Sequence, residues 1–269
     1  MEKIGEGMVS EAFLIDRRVM LVAKRKDSFK RYQELKVNLD LLEGKIKSLI
    51  IPSGAQLIDP CTEYPLGAMS FNYVPGTELA KKIDTCTNEQ KVAIGEKLAE
   101  FIVEMQNSGI VMDKQKEVDL NNEKQRKALE IIRSYLNVDE NKKLERLAVK
   151  YSEFMAKTNF TMTHGDLHEW NLLVDDDNKL VGIIDFGNVE YYVPEIEFHF
   201  MLDFDPVIYN AMMKNYKGQD IDIQLVHLTH IVRFVRFLKN VMDWPPDKIQ
   251  AQVDKVRRLL ANYKPKEAK

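Results

Sequence analysis

The sequence is short of cysteine, of long apolar runs and of net charge, and each shortage excludes something. Only two cysteines, Cys61 and Cys86, occur in 269 residues, far apart and without ligand-type spacing. Neither a disulfide framework nor a thiolate metal site is expected, and the usage fits a reducing cytoplasm. The apolar runs are only a few residues long, too short to cross a bilayer. The opening MEKIGEGMVS has no apolar stretch of the kind that marks secretion. With 39 basic residues against 42 acidic ones, the net charge is -3, which gives no general attraction to nucleic acid. The one early basic cluster, Lys24 to Arg31, is too short to change that. Neither nucleic acid nor a membrane is expected as a partner. Internal repeats of 20–50 residues are absent as well, which removes solenoids and propellers.

What remains is a globular chain. It is 45% hydrophobic and 30% charged, outside the range of disordered sequences. Its length lets it bury roughly 70–75% of its unfolded surface without disulfide or metal staples.

The first quarter reads as strands. Met1–Ile4, Glu11–Asp16 and Val19–Lys24 form a meander, with Gly5 and Gly7 in the first loop and Arg17-Arg18 as the second turn. Asp27 or Ser28 opens a helix whose apolar face is Phe29, Tyr32, Leu35, Leu39 and Leu42, and Gly44 closes it. Leu49–Ile58 and Ala68–Val74 read as further strands. Composition then changes from strands to helices at Pro75-Gly76, which divides the chain into a lobe of residues 1–74 and a lobe of residues 75–269. Thr87 and Gln90 have capping-box spacing, and Ile94, Leu98, Phe101, Ile102 and Met105 form one buried stripe ending near Gly109. Residues 121–157 read as two charged helices and Phe160–Thr163 as a strand. Leu172–Val174 and Leu180–Asp185 make a hairpin around a polar turn. From Pro194 to Tyr263 the pattern is helical, punctuated by Pro206 and Pro245-Pro246, and the tail KPKEAK reads as disordered. The expected class is α+β: a small β-rich N-terminal lobe and a larger, mainly helical C-terminal lobe.

The stretch that carries chemistry is TMTHGDLHEWNLLVDDDNKLVGIIDFGN, residues 161–188. Asp166 follows a strand in a loop, Asn171 enters the hairpin, and Asp185 ends its second strand. A hairpin brings its two ends together, so Asn171 and Asp185 should be neighbours with Asp166 facing the same point. Asn171 and Asp185 supply hard oxygen ligands for Mg²⁺, which keeps the rest of its shell for water and phosphate oxygens. Asp166 is suited to accept the proton of an attacking hydroxyl. His164 and His168 are read first as partners of the loop backbone.

HGDLHEWN followed by GIIDFG resembles the signature of aminoglycoside phosphotransferases, which share the protein-kinase-like fold with choline kinases. His164, Gly165, Asp166, Leu167, His168, Asn171, Ile184, Asp185 and Phe186 meet its fixed positions. The resemblance implies a two-lobed protein-kinase-like fold, Asp166 as catalytic base, and Asn171 and Asp185 as magnesium ligands. It also implies that Lys24 contacts the nucleotide α/β-phosphates and pairs with a glutamate of the next helix, Glu34 or alternatively Glu43. Lys26 takes the place of Lys24 if the strand register slips by two. Gly5, Gly7 and Ser10 fall in the phosphate-covering loop, with Ser10 where the kinase pattern has a third glycine. Phe71–Gly76 falls at the hinge, where backbone groups near Tyr73 and Val74 would hold the base of ATP or GTP.

Pro194 opens a helical pattern only seven residues after Gly187 and no Ala-Pro-Glu follows, which leaves little room for a peptide platform and favours a small hydroxylated substrate. Glu190, Glu195, Glu197, Asp203 and Asp205 occur in a stretch without lysine or arginine, and such a wall attracts cations. Glu195, Glu197, Asp203 and Asp205 are therefore substrate candidates. The alternative is a solvated helix start. The family usually carries Asp-Pro-x-x-Asp here, whereas this chain has Val193-Pro194-Glu195-Ile196-Glu197. Tyr191, Tyr192 and Trp244 are read first as core, with cation–π contact as the alternative, and Met201, Met212, Met213 and Met242 as core fillers. The functional expectation is a cytoplasmic, Mg²⁺-dependent kinase that phosphorylates a hydroxyl of a small, cationic, aminoglycoside-type molecule with ATP or GTP. The alternatives are a choline, amino-alcohol or sugar kinase, and a kinase-like module that binds nucleotide without turnover.

Overall fold

The structure, a computed structural model, describes residues 2–7, 9–238 and 244–263. The expectations for Met1, Met242 and the KPKEAK tail, and for the side chain of Met201, lie outside the described residues. In chain order the elements are β1 (Glu2–Glu6), β2 (Ser10–Ile15), β3 (Arg18–Ala23), α1 (Ser28–Leu42), β4 (Gln56–Ile58), β5 (Ala68–Asn72), β6 (Thr77–Glu78), α2 (Leu79–Lys82), α3 (Asn88–Gln106), α4 (Lys114–Ile132), α5 (Val138–Lys157), β7 (Thr161–Thr163), β8 (Leu172–Val174), β9 (Leu180–Ile183), β10 (Glu190–Tyr192), α6 (Pro206–Asn215), α7 (Ile223–Leu238) and α8 (Pro246–Asn262).

By packing, the chain forms two compact units. One comprises Met1–Ile110, His164–Glu190 and Asp203–Gly218; the other comprises Val111–Thr163, Tyr191–Leu202 and Gln219–Lys269. The switch of element type at Pro75-Gly76 is thus not an edge of packing. The reason is local: the Ile50 amide donates to Val181 at 3.0 Å and the Ile50 carbonyl accepts from Ile183 at 3.0 Å, which joins the early chain to the hairpin of β8 and β9.

In the first unit, an antiparallel sheet of order β1-β2-β3-β5-β4 stands beside α1. Its second turn is Asp16-Arg17, not Arg17-Arg18. Both Asp16 and Arg17 have positive φ (46° and 65°), as a two-residue hairpin loop requires, and Arg18 pairs with Ile15 inside the ladder. The expected strand Leu49–Ile58 is reduced to β4, because Pro52 removes an amide and Gly54 turns left-handed at φ 60°; Ile50 keeps a lone parallel bridge to Gly182. The Thr87–Gln90 capping box opens α3 as expected. Ile94, Leu98, Phe101, Ile102 and Met105 of α3 are buried to 1% exposure or less, and α3 packs along α6. A second sheet of order β6-β8-β9 carries the hairpin, whose turn is closed by the Asp175 carboxylate accepting from the amides of Asp177 and Lys179 at 3.0 and 2.8 Å.

The second unit gathers α4, α5, α7 and α8 around Ile132, Tyr151, Met155, Tyr192, Ile196, Leu228 and Val253. Helix α4 starts at Lys114, before the expected 121, with Asp113 as its N-cap. Its inward face hides polar residues, which disguise the stripe: Gln125 donates to Ala148 O at 3.1 Å and Asn121 accepts from Arg236 at 2.8 Å. Strand β10, paired with β7, was not anticipated; its Tyr191 and Tyr192 join the core, where Tyr151 donates to the Tyr192 hydroxyl at 2.9 Å. Trp244 packs edge-on to Phe237. No helix among the described residues is long and apolar enough to cross a membrane.

Candidate functional site

The loop before β8 and the end of β9 bring Asp166, Asn171 and Asp185 together in the first unit. The Asn171 amide Nδ2 donates to the Asp166 carbonyl at 2.9 Å and lies 3.2 Å from His168 Nε2. The Ile184 amide donates to the Asn171 carbonyl at 3.0 Å. The short loop is thereby tied to the residue next to Asp185. His164 adds a second tie: fully buried, its Nε2 lies 3.1 Å from the Ile184 carbonyl, and its ring stands edge-on to Phe186 at 4.7 Å. Burial is the first cause that drives the His164 pKa down to about 3, so the imidazole is neutral and serves as a structural donor, in agreement with the backbone-partner reading.

Asp185 adopts a left-handed backbone, φ 65°, a conformation that costs a non-glycine residue energy and recurs at functional sites. The residue lies open to solvent, but its carboxyl end is hemmed in by protein. That desolvation raises its pKa, the charge of Asp166 raises it further, and a bond from the Gly187 amide opposes both. The Asp166 carboxylate is itself held: Asn188 Nδ2 donates to its Oδ2 at 2.9 Å, and His168 Nε2 lies 3.8 Å from its Oδ1. Among the described residues no group of three or more His, Cys, Asp or Glu side chains could hold a metal. A carboxylate, an amide oxygen and a second carboxylate beside them suit an ion that keeps water and takes phosphate oxygens, which is the habit of Mg²⁺.

On the expected nucleotide side, Lys24 does not pair with Glu34. Its Nζ donates to Glu6 Oε1 at 2.5 Å and to the Gly7 carbonyl at 3.3 Å. Glu6 is closer because the end of β1 and the loop holding Gly7 lie across from the end of β3, where the Lys24 amide donates to Val9 O at 2.9 Å. Lys24 first and Lys3 second hold the Glu6 carboxyl down at about 2. Glu34 lies instead in a shallow groove of about 330 Å³ with Lys30, Gln33, Val37 and Asn38, one turn from Asn38, which donates to Phe186 O at 3.4 Å. Gly5 lies in β1 and Gly7 follows it. The Ser10 hydroxyl is buried and accepts from Tyr32 at 2.7 Å, so its side chain faces inward at the start of β2. The Tyr73 amide already donates to Arg17 O at 3.0 Å, and Val74 is buried.

The acidic residues divide. Glu195 and Glu197, expected on a cleft wall or a solvated helix start, are buried to 3% and 1% exposure. The 3-10 stretch Pro194–Phe198 runs through the core of the second unit, and that is why they leave the surface. Glu195 accepts from the Asp222 amide at 3.5 Å. Asp205 caps α6 by accepting from the Val207 amide at 2.9 Å, and it pairs with Lys91 at 2.8 Å. Asp203, Asp205, Glu169 and Trp170 line a pocket of about 160 Å³ with Ala80, Ile83 and Phe204.

Burial of Glu195 has a consequence for stability. It raises the carboxyl pKa from 4.5 to about 7, so folding favours the protonated form. The stabilisation is complete below pH 4.5 and is lost as pH rises through 7, on the order of 3 kcal/mol at pH 8. Thermal unfolding of Glu195→Gln should match wild type at pH 4 and exceed it at pH 8. Parallel pH profiles for the two proteins would contradict the buried-acid assignment.

Residues 25–222 match the phosphotransferase enzyme family. The chain belongs to that family. Solved structures agree on the fold of this phosphotransferase. The GDP and kanamycin complex of APH(2")-IIia superposes with a TM-score of 0.78 at 20% identity, covering 97% of this chain and 93% of that one. The streptomycin-ATP-APH(2")-IIa ternary complex gives 0.72 at 16% identity over 96% and 90%. The apoenzyme of macrolide 2'-phosphotransferase MphH from Brachybacterium faecium gives 0.61 at 12% over 99% and 92%. No curated protein matches the sequence.

Three residues beside the candidate site residues escaped the sequence reading. Asn188, on Asp166, follows the recognisable Asp-Phe-Gly but has no spacing rule of its own. Glu6, on Lys24, looks like loop filler between two glycines. Trp170 is half exposed at 54%; a large aromatic inside an otherwise polar loop was the one available signal.

Proposed function

We propose that this phosphotransferase moves the γ-phosphoryl group of ATP or GTP onto a hydroxyl of a small cationic molecule, of the aminoglycoside type, with Mg²⁺. One observation carries it: Asn171 is bonded both to Asp166 and to the residue before Asp185, which gathers two carboxylates and an amide in one place. Like charges brought together in this way are favourable beside a divalent cation.

In this reading Asp185 and Asn171 Oδ1 would hold the metal, because Asn171 Nδ2 is engaged on Asp166. The ion neutralises charge on the phosphates when bound. Asp166 takes the proton from the acceptor hydroxyl at Oδ1, since Oδ2 is occupied by Asn188. Lys24, just past the end of β3, approaches the phosphates beside Gly7, whose carbonyl it reaches at 3.3 Å. The backbone near Tyr73 and Val74 takes the base through groups other than the Tyr73 amide. Residues 1–74 act as the nucleotide lobe and residues 75–269 as the acceptor lobe. The acceptor's cationic part lies against Trp170, Glu169 and Asp203, a combination of aromatic face and carboxylates that suits an ammonium group.

The test is a panel of acceptors (kanamycin, gentamicin, streptomycin, a macrolide, choline and a hexose) with ATP and GTP, scored by diphosphate release and by the mass of the acceptor. Phosphorylation of a polyamino sugar is expected. Exclusive use of the uncharged hexose would overturn the cationic-substrate reading, and no transfer to any acceptor would overturn the enzyme reading.

A further inference from the structure

The Asp166 carboxylate has two oxygens and only one of them is tied by a short bond. Asn188 Nδ2 donates to Oδ2 at 2.9 Å, whereas His168 stands back from Oδ1 at 3.8 Å. Asn188 is the last residue of the 3-10 turn Phe186–Asn188 that follows Asp185 directly. It is exposed, so its amide is not needed to fill a core. The same turn is held from the other side by Asn38 of α1, which donates to Phe186 O. The turn that leaves the expected metal ligand therefore delivers a donor to the expected base.

We propose that Asn188 is a positioning residue for phosphoryl transfer: its amide fixes the rotation of the Asp166 carboxylate, so that Oδ1 alone faces the acceptor hydroxyl. This rests on the functional reading above. A charge-assisted bond of ordinary length is strong enough to set one rotamer, and a reacting group displaced by about 1 Å can lose about 10²-fold in rate. Without the amide, the carboxylate turns about its last bond and either oxygen is presented, at a distance that no partner sets.

The test uses the full chain with ATP and with GTP, kanamycin as the acceptor and water alone in parallel, reading diphosphate release. Asn188→Ala and Asn188→Leu should each lower kcat about 10-fold, with KM for the nucleotide within about twofold of wild type. Asn188→Gln, which keeps a donor on a longer arm, should recover part of that loss. Thermal midpoints should not move, because the side chain is exposed. In the Asp166→Asn background, Asn188→Ala should add no further loss, since the residue acts through the group already removed. A space-filling role predicts the opposite pattern: Asn188→Leu, of similar shape, would keep wild-type kcat, and the loss in Asn188→Ala would persist in full without Asp166. Either result overturns the proposal. If Asp166→Asn is inactive while Asn188→Ala and Asn188→Leu turn over as wild type, only the role of Asn188 falls. If Asp166→Asn retains wild-type turnover, or wild type releases no diphosphate with either acceptor, the functional reading falls and the proposal with it.

Discussion

Asp166→Asn is expected to lower kcat by about 10²–10⁴-fold and to leave nucleotide affinity within about twofold. The substitution is nearly isosteric. The bond from Asn171 goes to the main-chain oxygen of Asp166, not to its carboxylate, so the loop keeps its tie to β8. The Ile184 amide still reaches the Asn171 carbonyl and His164 still lies against the Ile184 carbonyl. What disappears is a charged oxygen able to take a proton. An amide cannot take its place, and only the step that needs that proton transfer should slow. The nucleotide contacts assigned to Lys24 and to the residues near Val74 involve other parts of the chain. Steady-state kinetics with nucleotide binding measured separately decides it: unchanged kcat would remove Asp166 from the chemistry, and a collapse of binding would make it a structural residue.

Gly95→Ala should destabilise the fold by about 2–3 kcal/mol. On propensity alone the change should help, since alanine is favoured over glycine in a helix by up to about 1 kcal/mol. Packing decides otherwise. A Cβ at Gly95 would lie 2.4 Å from the Ile208 carbonyl, 2.8 Å from Ala211 Cβ and 2.9 Å from the Met212 amide. Two of these three are main-chain atoms of α6, so no side chain can swing aside and α6 must move off α3. That displacement also pulls on Asp205, which caps α6 and pairs with Lys91 of α3, and on Asp203 and Phe204 of the neighbouring pocket. A fall of roughly 4–12 °C in Tm is expected for a chain of this size. A midpoint at or above wild type would show that the close approach of α3 and α6 at Gly95 is not real.

Features with a local cause were legible in the sequence. The Thr87–Gln90 box, the stripe from Ile94 to Met105 and the hairpin after Asn171 depend on residues a few positions apart, and all three appear in the structure. The grouping of Asp166, Asn171 and Asp185 was legible for the same reason, because a hairpin must bring its ends together. The misreadings concern where a side chain points. A proline-led acidic run such as Pro194–Glu197 looks alike whether it opens a solvated helix or threads a core, and here burial prevailed. Lys24 had acidic residues available on α1 and on β1, and strand geometry chose Glu6. The start of α4 was hidden because Val118 is the one residue buried between Lys114 and Leu120, too little to show a stripe. Asn188 was invisible because its bond to Asp166 spans 22 positions and depends on the turn that Asp185 begins.

The most direct test of the site is the metal dependence of nucleotide binding, by calorimetry with a non-hydrolysable ATP or GTP analogue, in Mg²⁺ and in EDTA. Wild type should bind at least about tenfold more tightly with Mg²⁺, and Asp185→Asn should lose most of that gain while its affinity in EDTA stays near that of wild type. Equal affinity with and without Mg²⁺ in wild type, or a full Mg²⁺ gain in Asp185→Asn, would contradict a metal–nucleotide centre built on Asn171 and Asp185.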